Sequence, residues 1–321
     1  MSVTFQNHED YFDRNFSELA MDKMQSTPAY HKRIAKTITT QDWTTKFGGT
    51  SGLSPAEETG VYAGAIEDTP IQDYSVNATQ VKWSKKVVIP EAVAIFANSK
   101  EDIVNRFRDQ GDDSTLAKSF HDRKDLDIAY YMSNAATSTI AATPDGAALA
   151  STSHPINSAQ STTYNSNLLT STALSYAGVE SMMETIGECS DNRNNPAMLL
   201  ASNPAYLCVP TQLSGLAIRI AQTLGQANSR QGTMDNDKNA LPALGLQQEV
   251  ISWPRLGDKY QGVNDTDWYI IMPGLTFWIV EGTALMHRAW VNNDTGALHF
   301  NMWQYWKIII KDFRGIWKGA A

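Results

Sequence analysis

The chain has 321 residues, of which 42% are hydrophobic and 19% are charged, and it carries a formal net charge of −8 at pH 7. A chain of this length can bury sizeable cores and is expected to form about two domains. The acidic balance excludes binding of nucleic acid through overall positive charge, and no apolar run approaches the roughly 18 residues that a membrane-spanning helix needs.

Residues 1–60 combine scattered aromatic side chains with Thr-, Gly- and Ser-rich stretches, which is not the composition of a compact domain. Disordered segments are normally poor in aromatic residues. The stretch therefore predicts an extended arm that packs on something else, such as a second subunit, with a short helix around Tyr11–Met24. A floppy tail is the alternative.

Residues 61–98 contain a predicted long hairpin. Apolar and polar side chains alternate along Val81–Val88, which is typical of a strand with one mostly polar face. The stretch Ile66–Tyr74 is predicted to supply the opposing strand. The lysines on this hairpin have two interpretations. In the first, they only prevent edge-to-edge aggregation of the strand. In the second, they pair with an acidic surface of a neighbour. The side chains predicted to lie on its exposed tip or edge are Lys82, Lys85 and Lys86.

The longest predicted helix follows the Asp-Asp-Ser-Thr cluster of residues 112–115, whose side-chain oxygens can cap the start of a helix. No Gly or Pro interrupts the chain up to about Ala136, and apolar residues recur at i,i+4 spacing, as at Leu126 and Tyr130. A helix over about 113–138 would be roughly 35 Å long and would form the spine of a lobe. The pattern breaks at the Pro-Asp-Gly turn of residues 144–146.

A second lobe of α/β type is predicted from Ser171 onwards. The patterns favour a polar, mobile insertion at Gly225–Leu241 and an aromatic, basic, strand-like end at His299–Gly319. The other predicted elements are a helix over Thr172–Glu188, one or two buried strands in Ala197–Val209, a helix over Thr211–Leu224, and strands at Gln248–Trp253, Trp268–Met272, Thr276–Val280 and Ala289–Val291.

The sequence contains no motif that predicts catalysis or a cofactor. It has no phosphate-binding GxxxxGK[ST], no dinucleotide-binding GxGxxG and no GxSxG nucleophile motif. Its six histidines lack the spacing of a zinc site. A hydrolytic combination of Asp145, His154 and either Ser151 or Ser153 is conceivable, but such combinations arise by chance in most chains of this length. The sequence therefore favours a structural role.

Three stretches resemble the major capsid proteins of tailed phages with the HK97 fold, most closely the Mu-type major head subunits. They are the loop Asp145–Pro155, the stretch Ala197–Pro210 that leads into a helix, and the terminal Asp312–Gly319. The resemblance covers nearly the whole chain in element order and implies an α+β fold. The implied parts are an N-terminal arm (1–60), an extended hairpin loop (61–98), a peripheral lobe with the spine helix (99–170), an axial lobe (171–290) and C-terminal strands that return to the peripheral lobe (291–321).

This resemblance implies a major capsid protein rather than an enzyme, with no cofactor and no metal. Copies would assemble into pentamers and hexamers of an icosahedral shell, formed in the host cytoplasm, that encloses phage DNA and contacts it non-specifically. The implied partners are a separate scaffolding protein, a portal and a decoration protein, with no membrane. The alternatives are an encapsulin-like compartment shell, another phage structural protein and a soluble hydrolase. The residues predicted at contacts between subunits are Lys82, Trp83, Lys85, Lys86, Trp43, Phe47, Asp145 and Arg230.

Overall fold

The structure, a computed structural model, describes residues 29–50, 56, 58–59, 67–70, 72–95, 116–158, 162–223, 239–260 and 264–320. The α-helices within these ranges are α1 His31–Ile34, α2 Glu91–Ile95, α3 Leu116–Ser133, α4 Tyr176–Glu188, α5 Leu199–Ser202 and α6 Ser214–Gln222. The strands are β1 Lys36–Thr39, β2 Thr44–Thr50, β3 Gln72–Thr79, β4 Val81–Ile89, β5 His154–Pro155, β6 Tyr164–Asn165, β7 Leu168–Leu169, β8 Ala205–Val209, β9 Leu246–Ser252, β10 Trp268–Ile271, β11 Phe277–Glu281, β12 Met286–Val291, β13 Leu298–Ile310 and β14 Ile316–Gly319.

The first of two five-stranded sheets is built around β13, whose residues alternate between buried and partly exposed positions. β11 and β12 pair antiparallel with one edge of β13, and β4 pairs antiparallel with the other edge from Leu298 to Trp306. β1 adds to β11 in parallel. Side chains of a strand point alternately to the two faces of its sheet. The even-numbered residues of β13 from 298 to 308 therefore form one buried face, and the odd-numbered residues from 299 to 305 form the other face.

The second sheet has the strand order β7-β14-β10-β8-β9. Its central strand β10 is buried at all four positions and pairs antiparallel with β14 and β8. The helix α4 covers one face of this sheet. Its N-cap is Ser175, whose side chain accepts a hydrogen bond from the backbone N–H of Gly178 at 3.1 Å. Its buried residues recur at helical spacing, because a single apolar stripe faces the sheet.

The helix α3 lies in the larger core, against the buried face of the first sheet and one face of the second. From α3 this core takes Ile128 and Met132, and from the two sheets it takes residues such as Trp306 and Ile251. The hydroxyl of Tyr269 in β10 donates a hydrogen bond to the carbonyl of Met132 at 3.0 Å. A second core lies on the far side of the second sheet, beneath α4 and α6. The prediction of a long helix as the spine of the fold is confirmed over α3.

The predicted hairpin between Ile66–Tyr74 and Val81–Val88 is wrong in its pairing. The second stretch does form a strand, but it pairs with β13, whereas β3 pairs with β2. Only Gln80 separates β3 from β4, and a hairpin needs at least two residues to reverse the chain. The chain therefore runs on from one strand into the next, and the antiparallel ribbon of this region is β2–β3.

Other predictions hold with shifted boundaries. The predicted strand in Ala197–Val209 is divided into the short helix α5 and the strand β8, because Pro204 favours extended backbone at the residue before it. The C-terminal strands are shared between the sheets, with β13 in the first and β14 in the second. The predicted helix at Tyr11–Met24 lies outside the described residues. The proposed boundaries between arm, hairpin and lobes remain predictions.

Neither cysteine is oxidised in this fold. Cys189 and Cys208 are both buried and free. Burial raises the pKa of the Cys189 thiol to about 11, and it raises the pKa of the Cys208 thiol further. Among the described helices, none combines the length and the apolar character that crossing a membrane requires.

Candidate functional site

The loop that contains Asp145 is closed by a buried polar network. Asp145 lies two residues after Thr143, and its carboxylate accepts hydrogen bonds from the Thr143 hydroxyl and from the backbone N–H of Ala147 at 2.9 Å. The other carboxylate oxygen lies 2.8 Å from Nδ1 of His154. The His154 ring is fully buried and stacks on Phe313 with a centroid distance of 3.8 Å. The predicted contact residue Asp145 is therefore used within the chain, to hold its own loop.

The second ring nitrogen of His154 faces Asn167, with Nε2 3.1 Å from Oδ1. The orientation of this amide is fixed, because Oδ1 also accepts from the backbone N–H of Ser151. Both ring nitrogens thus lie within hydrogen-bonding distance of an oxygen atom. On its other side, the Asn167 amide nitrogen donates to the carbonyls of Leu149, Phe313 and Ile316.

This geometry does not assemble the conceivable hydrolytic combination. A serine hydrolase needs the distal histidine nitrogen within hydrogen-bonding reach of the nucleophilic hydroxyl. Here that nitrogen is bound to Asn167, whereas the Ser151 hydroxyl lies 3.4 Å from that of Ser153. Within the described part of the chain, no group of three or more His, Cys, Asp or Glu residues could hold a metal ion.

We expect Asp145→Asn to destabilise the free subunit by about 2 kcal/mol at pH 7, as is usual for a lost charged hydrogen-bond partner in a buried site. Burial raises the pKa of Asp145, but hydrogen bonds from His154, Thr143 and Ala147 outweigh it and hold the pKa below its ordinary value. The carboxylate's stabilisation is therefore complete above the unfolded-state pKa of about 3.9, and it is lost as the pH falls through the lower folded-state pKa.

Urea unfolding at several pH values between about 7 and 2.5 measures this difference. The difference in the free energy of unfolding between the wild type and the Asp145→Asn variant should narrow as the pH falls, because a protonated Asp145 is uncharged, as Asn is. Asp42→Asn, at an exposed carboxylate, is the control variant. A gap of constant size over the whole pH range would contradict the assignment of the stabilisation to the ionised carboxylate.

The β2–β3 ribbon is joined to the body through polar contacts near the end of β2 and the start of β3. Lys311 Nζ donates to the backbone carbonyl of Gly48 at 3.0 Å. The side chain of Asn192 donates to Asp73 of β3 and accepts from Arg314 at 2.7 Å. These residues surround a cavity of about 180 Å³. The ribbon is thus attached partly through hydrogen bonds and charges, which can exchange their partners for water at little net cost.

Phe47 in β2 makes the principal apolar contact of this ribbon. Its ring meets Trp278 edge to face at 5.3 Å, beside a small core formed by Ala78, Val280 and Ile309. Like Asp145, this predicted contact residue is used within its own chain.

The predicted contact residues of β4 are divided between the two faces of the first sheet. Trp83 faces α3, where it stacks on Trp306 at 4.6 Å and lies beneath the Arg123 guanidinium at 4.6 Å. Lys85 shares this face, since it is paired with the buried Met302. Lys82 and Lys86 point to the opposite, outward side.

The outward side of the first sheet carries a group of basic and aromatic side chains, which we call the basic–aromatic face and define as Lys82, Lys86, Arg288, Trp290 and Trp303. Lys82 Nζ lies over the ring of Trp303 at 5.5 Å. Lys86 and Arg288 both lie 6.0 Å from the ring of Trp290. Four of the five members line a cavity of about 290 Å³. Trp43, with 61% of its surface exposed, stands at the margin and meets Tyr305 edge to face at 6.1 Å.

The sequence prediction named Lys82, Lys86 and Trp43 but did not name Arg288, Trp290 or Trp303. These three residues come from β12 and β13, and they meet β4 only through the register that pairs Asn301 with both Lys86 and Arg288. The basic and aromatic composition of the C-terminal stretch was the available signal. The last predicted contact residue, Arg230, lies outside the described residues.

The start of the described chain is anchored on the α3 side of the first sheet. The ring of Tyr30 stacks on Trp253 at 5.2 Å. The carboxylate of Asp125 in α3 accepts from the backbone N–H groups of Tyr30 and His31, and it lies 2.7 Å from Nδ1 of His31. Residues 30 and 31 are therefore fixed on this side of the sheet.

Comparison with known proteins identifies the class. The sequence profile of a family described as phage capsid protein matches residues 73–319. The chain belongs to this family of phage capsid proteins. It is a major capsid protein, a structural component of the virion whose copies associate into a shell, and not an enzyme. No curated protein matches the sequence.

Solved capsid structures share the fold at low sequence identity. The bacteriophage PhiM1 mature capsid matches with a TM-score of 0.54 and 9% identity, over 91% of this chain and 87% of the other. The capsid of the cyanophage P-SCSP1u matches with a TM-score of 0.54 and 10% identity, over 92% and 88%. The capsid of a native GTA particle matches with a TM-score of 0.52 and 11% identity, over 91% and 90%. The predicted α+β fold of HK97 type is confirmed, whereas the closer Mu-type likeness is not.

Proposed function

We propose that copies of this chain form pentamers and hexamers, and that these build an icosahedral shell enclosing phage DNA. The observation that carries the proposal is the match of the phage capsid protein family over residues 73–319, a range that contains β4 to β14. Shells of this kind rest on many repeated, individually weak interfaces between identical subunits. The family match favours this role over an encapsulin-like compartment.

The β2–β3 ribbon is the element that we propose lies over an adjacent subunit. Its polar contacts with Lys311 and Asn192 support this role, because such hydrogen bonds can be exchanged for others at little net cost. We further propose a separate scaffolding protein, a portal and a decoration protein as partners, assembly in the host cytoplasm and non-specific contact with the packaged DNA.

Expression of the full chain, alone and with its neighbouring genes, tests the proposal. Negative-stain microscopy should show closed shells, and native mass spectrometry of the unassembled fraction should show five and six copies. Lys311→Met, which removes the charged contact with Gly48 of the ribbon but keeps most of the side-chain volume, should change the proportion of closed shells. A monomer under every condition would exclude the pentamer and hexamer proposal.

A further inference from the structure

We propose that the basic–aromatic face is the docking site for the acidic, aromatic N-terminal segment, residues 1–28, of a second copy of the chain. This inference rests on the proposed shell in one respect: the N-terminal segment and the face that binds it belong to different copies of the chain.

The face has an unbalanced positive charge. Lys82, Lys86 and Arg288 are exposed, and within the described residues none of the three has an ion-pair partner. None of the outward-facing positions of β4, β12 and β13 carries an acidic residue. Like charges gathered on one face repel each other, and a partner that brings carboxylates relieves this repulsion.

The face also offers aromatic surface. Each of its tryptophans has at least one cation above its ring, and the ring of Trp290 stacks on His299 at 5.1 Å. Trp and Arg are enriched at protein–protein contacts, where the ring buries apolar area and the cation fixes orientation. Apolar side chains at the margin add to this surface, with Met286 42% and Val88 46% exposed. An exposed apolar group of this kind, rimmed by charges, is typical of a contact site.

The N-terminal segment has the complementary composition. Residues 1–28 contain five acidic side chains against two basic ones, together with four aromatic residues. Three of the acids, Glu9, Asp10 and Asp13, lie beside the aromatic pair Tyr11 and Phe12. Such a segment can place carboxylates on the cations and rings on the tryptophans at the same time. Duplex DNA would engage the cations but would leave the tryptophan faces without a stacking partner, because its bases are already stacked.

The anchoring of residues 30 and 31 favours docking of the segment on the face of a second copy over docking on the face of its own chain. Tyr30 and His31 are held on the α3 side of the first sheet, and the basic–aromatic face is on the other side. A segment of 28 residues reaches at most roughly 95 Å when fully extended, which is enough to cross to an adjacent subunit. To reach its own face, it would have to turn back around the edge of the sheet.

Zero-length carbodiimide coupling of assembled particles, followed by mass spectrometry, tests the proposal. Lys82 and Lys86 should couple to carboxylates of residues 1–28 several-fold more than Lys85 does. Lys85 is the matched control, since it is an exposed lysine of the same strand that belongs to the opposite face. Particles assembled from mixed isotope-labelled and unlabelled chains should give mixed pairs. Pairs confined to one chain would overturn the proposal.

Charge exchange supplies a second measurement. The K82E/K86E/R288E variant should assemble poorly, and the addition of E9K/D10K/D13K should restore assembly. K85E should leave assembly unchanged. A variant that stays defective after the exchange, although circular dichroism shows it folded, would overturn the proposal.

Other occupants would be recognised in the same experiment. Coupling to Glu57, Glu58 or Glu67 would assign the face to the segment between β2 and β3. Protection of Lys82 and Lys86 from acetylation only in DNA-filled particles would assign it to DNA. Either result overturns the proposal. Closed particles without the predicted couplings reject this inference alone, whereas a chain that never associates rejects the proposed assembly.

Discussion

Glu281→Gln is expected to lower the free energy of unfolding by about 3–4 kcal/mol, the usual cost of leaving one charge of a buried pair without its partner. Lys124 of α3 is almost fully buried, and its Nζ lies 2.6 Å from Oε1 of Glu281. It also donates to Gln304 at 3.3 Å and lies 5.5 Å from the ring of Trp306. A neutral amide at position 281 leaves the ammonium group in the core with only dipoles and a ring to stabilise its charge.

The double variant K124M/E281Q separates the cost of the unpaired charge from a packing defect. Because it removes both charges, it should recover most of the lost stability. Glu249→Gln is the matched control, since the Arg33–Glu249 pair has the same 2.6 Å separation but is exposed, at 42% and 63% of the two side chains. We expect that change to cost at most about 0.5 kcal/mol. Chemical unfolding of free subunits measures all three variants, and equal effects at positions 249 and 281 would refute the argument.

Gly319→Ala is expected to destabilise the subunit by about 3 kcal/mol, at the upper end of the usual cost of overpacking a core. Gly319 of β14 is paired in register with Trp268 of β10, and the indole ring occupies the space that a Cβ atom would need. The ring cannot easily move aside, because it is fully buried and its Nε1 donates to the carbonyl of Thr172 at 2.9 Å.

The helix α4 offers the opposite case for comparison. A Cβ atom at Gly187 would meet nothing within 4 Å. Gly187→Ala should therefore stabilise the subunit by about 0.5–1 kcal/mol, because Ala has the higher helix propensity. Thermal unfolding of the two variants should show shifts of opposite sign. A Gly319→Ala variant with the stability of the wild type would show that the second sheet can adjust to an added methyl group at this strand.

Much of the fold could be predicted because its signals are local. The apolar spacing of Leu126 and Tyr130 lies within one helix, and the alternation along β13 lies within one strand. The partners of β4 could not be predicted in this way, since β13 follows it by more than 200 residues. Nothing in the alternation of a strand specifies which distant strand supplies its hydrogen bonds.

The candidate site shows the same division between local and distant information. The lysines of β4 were identified because charge on a strand is visible in the sequence. Their convergence with Arg288, Trp290 and Trp303 depends on the registers of two strand pairs. The network that binds Asp145 to His154 and Asn167 was equally inaccessible, because loop residues carry no periodicity that would indicate their contacts.

The strand pairings also determine when during synthesis the protein can fold. β1 pairs with β11, β4 pairs with β13, and β14 lies inside the second sheet between β7 and β10. Neither sheet can be completed until nearly the whole chain has left the ribosome, and pairings of such long sequence separation form slowly. A chain that terminates early lacks the central strand of the first sheet and an inner strand of the second. Only full-length copies can therefore present complete surfaces to a growing shell.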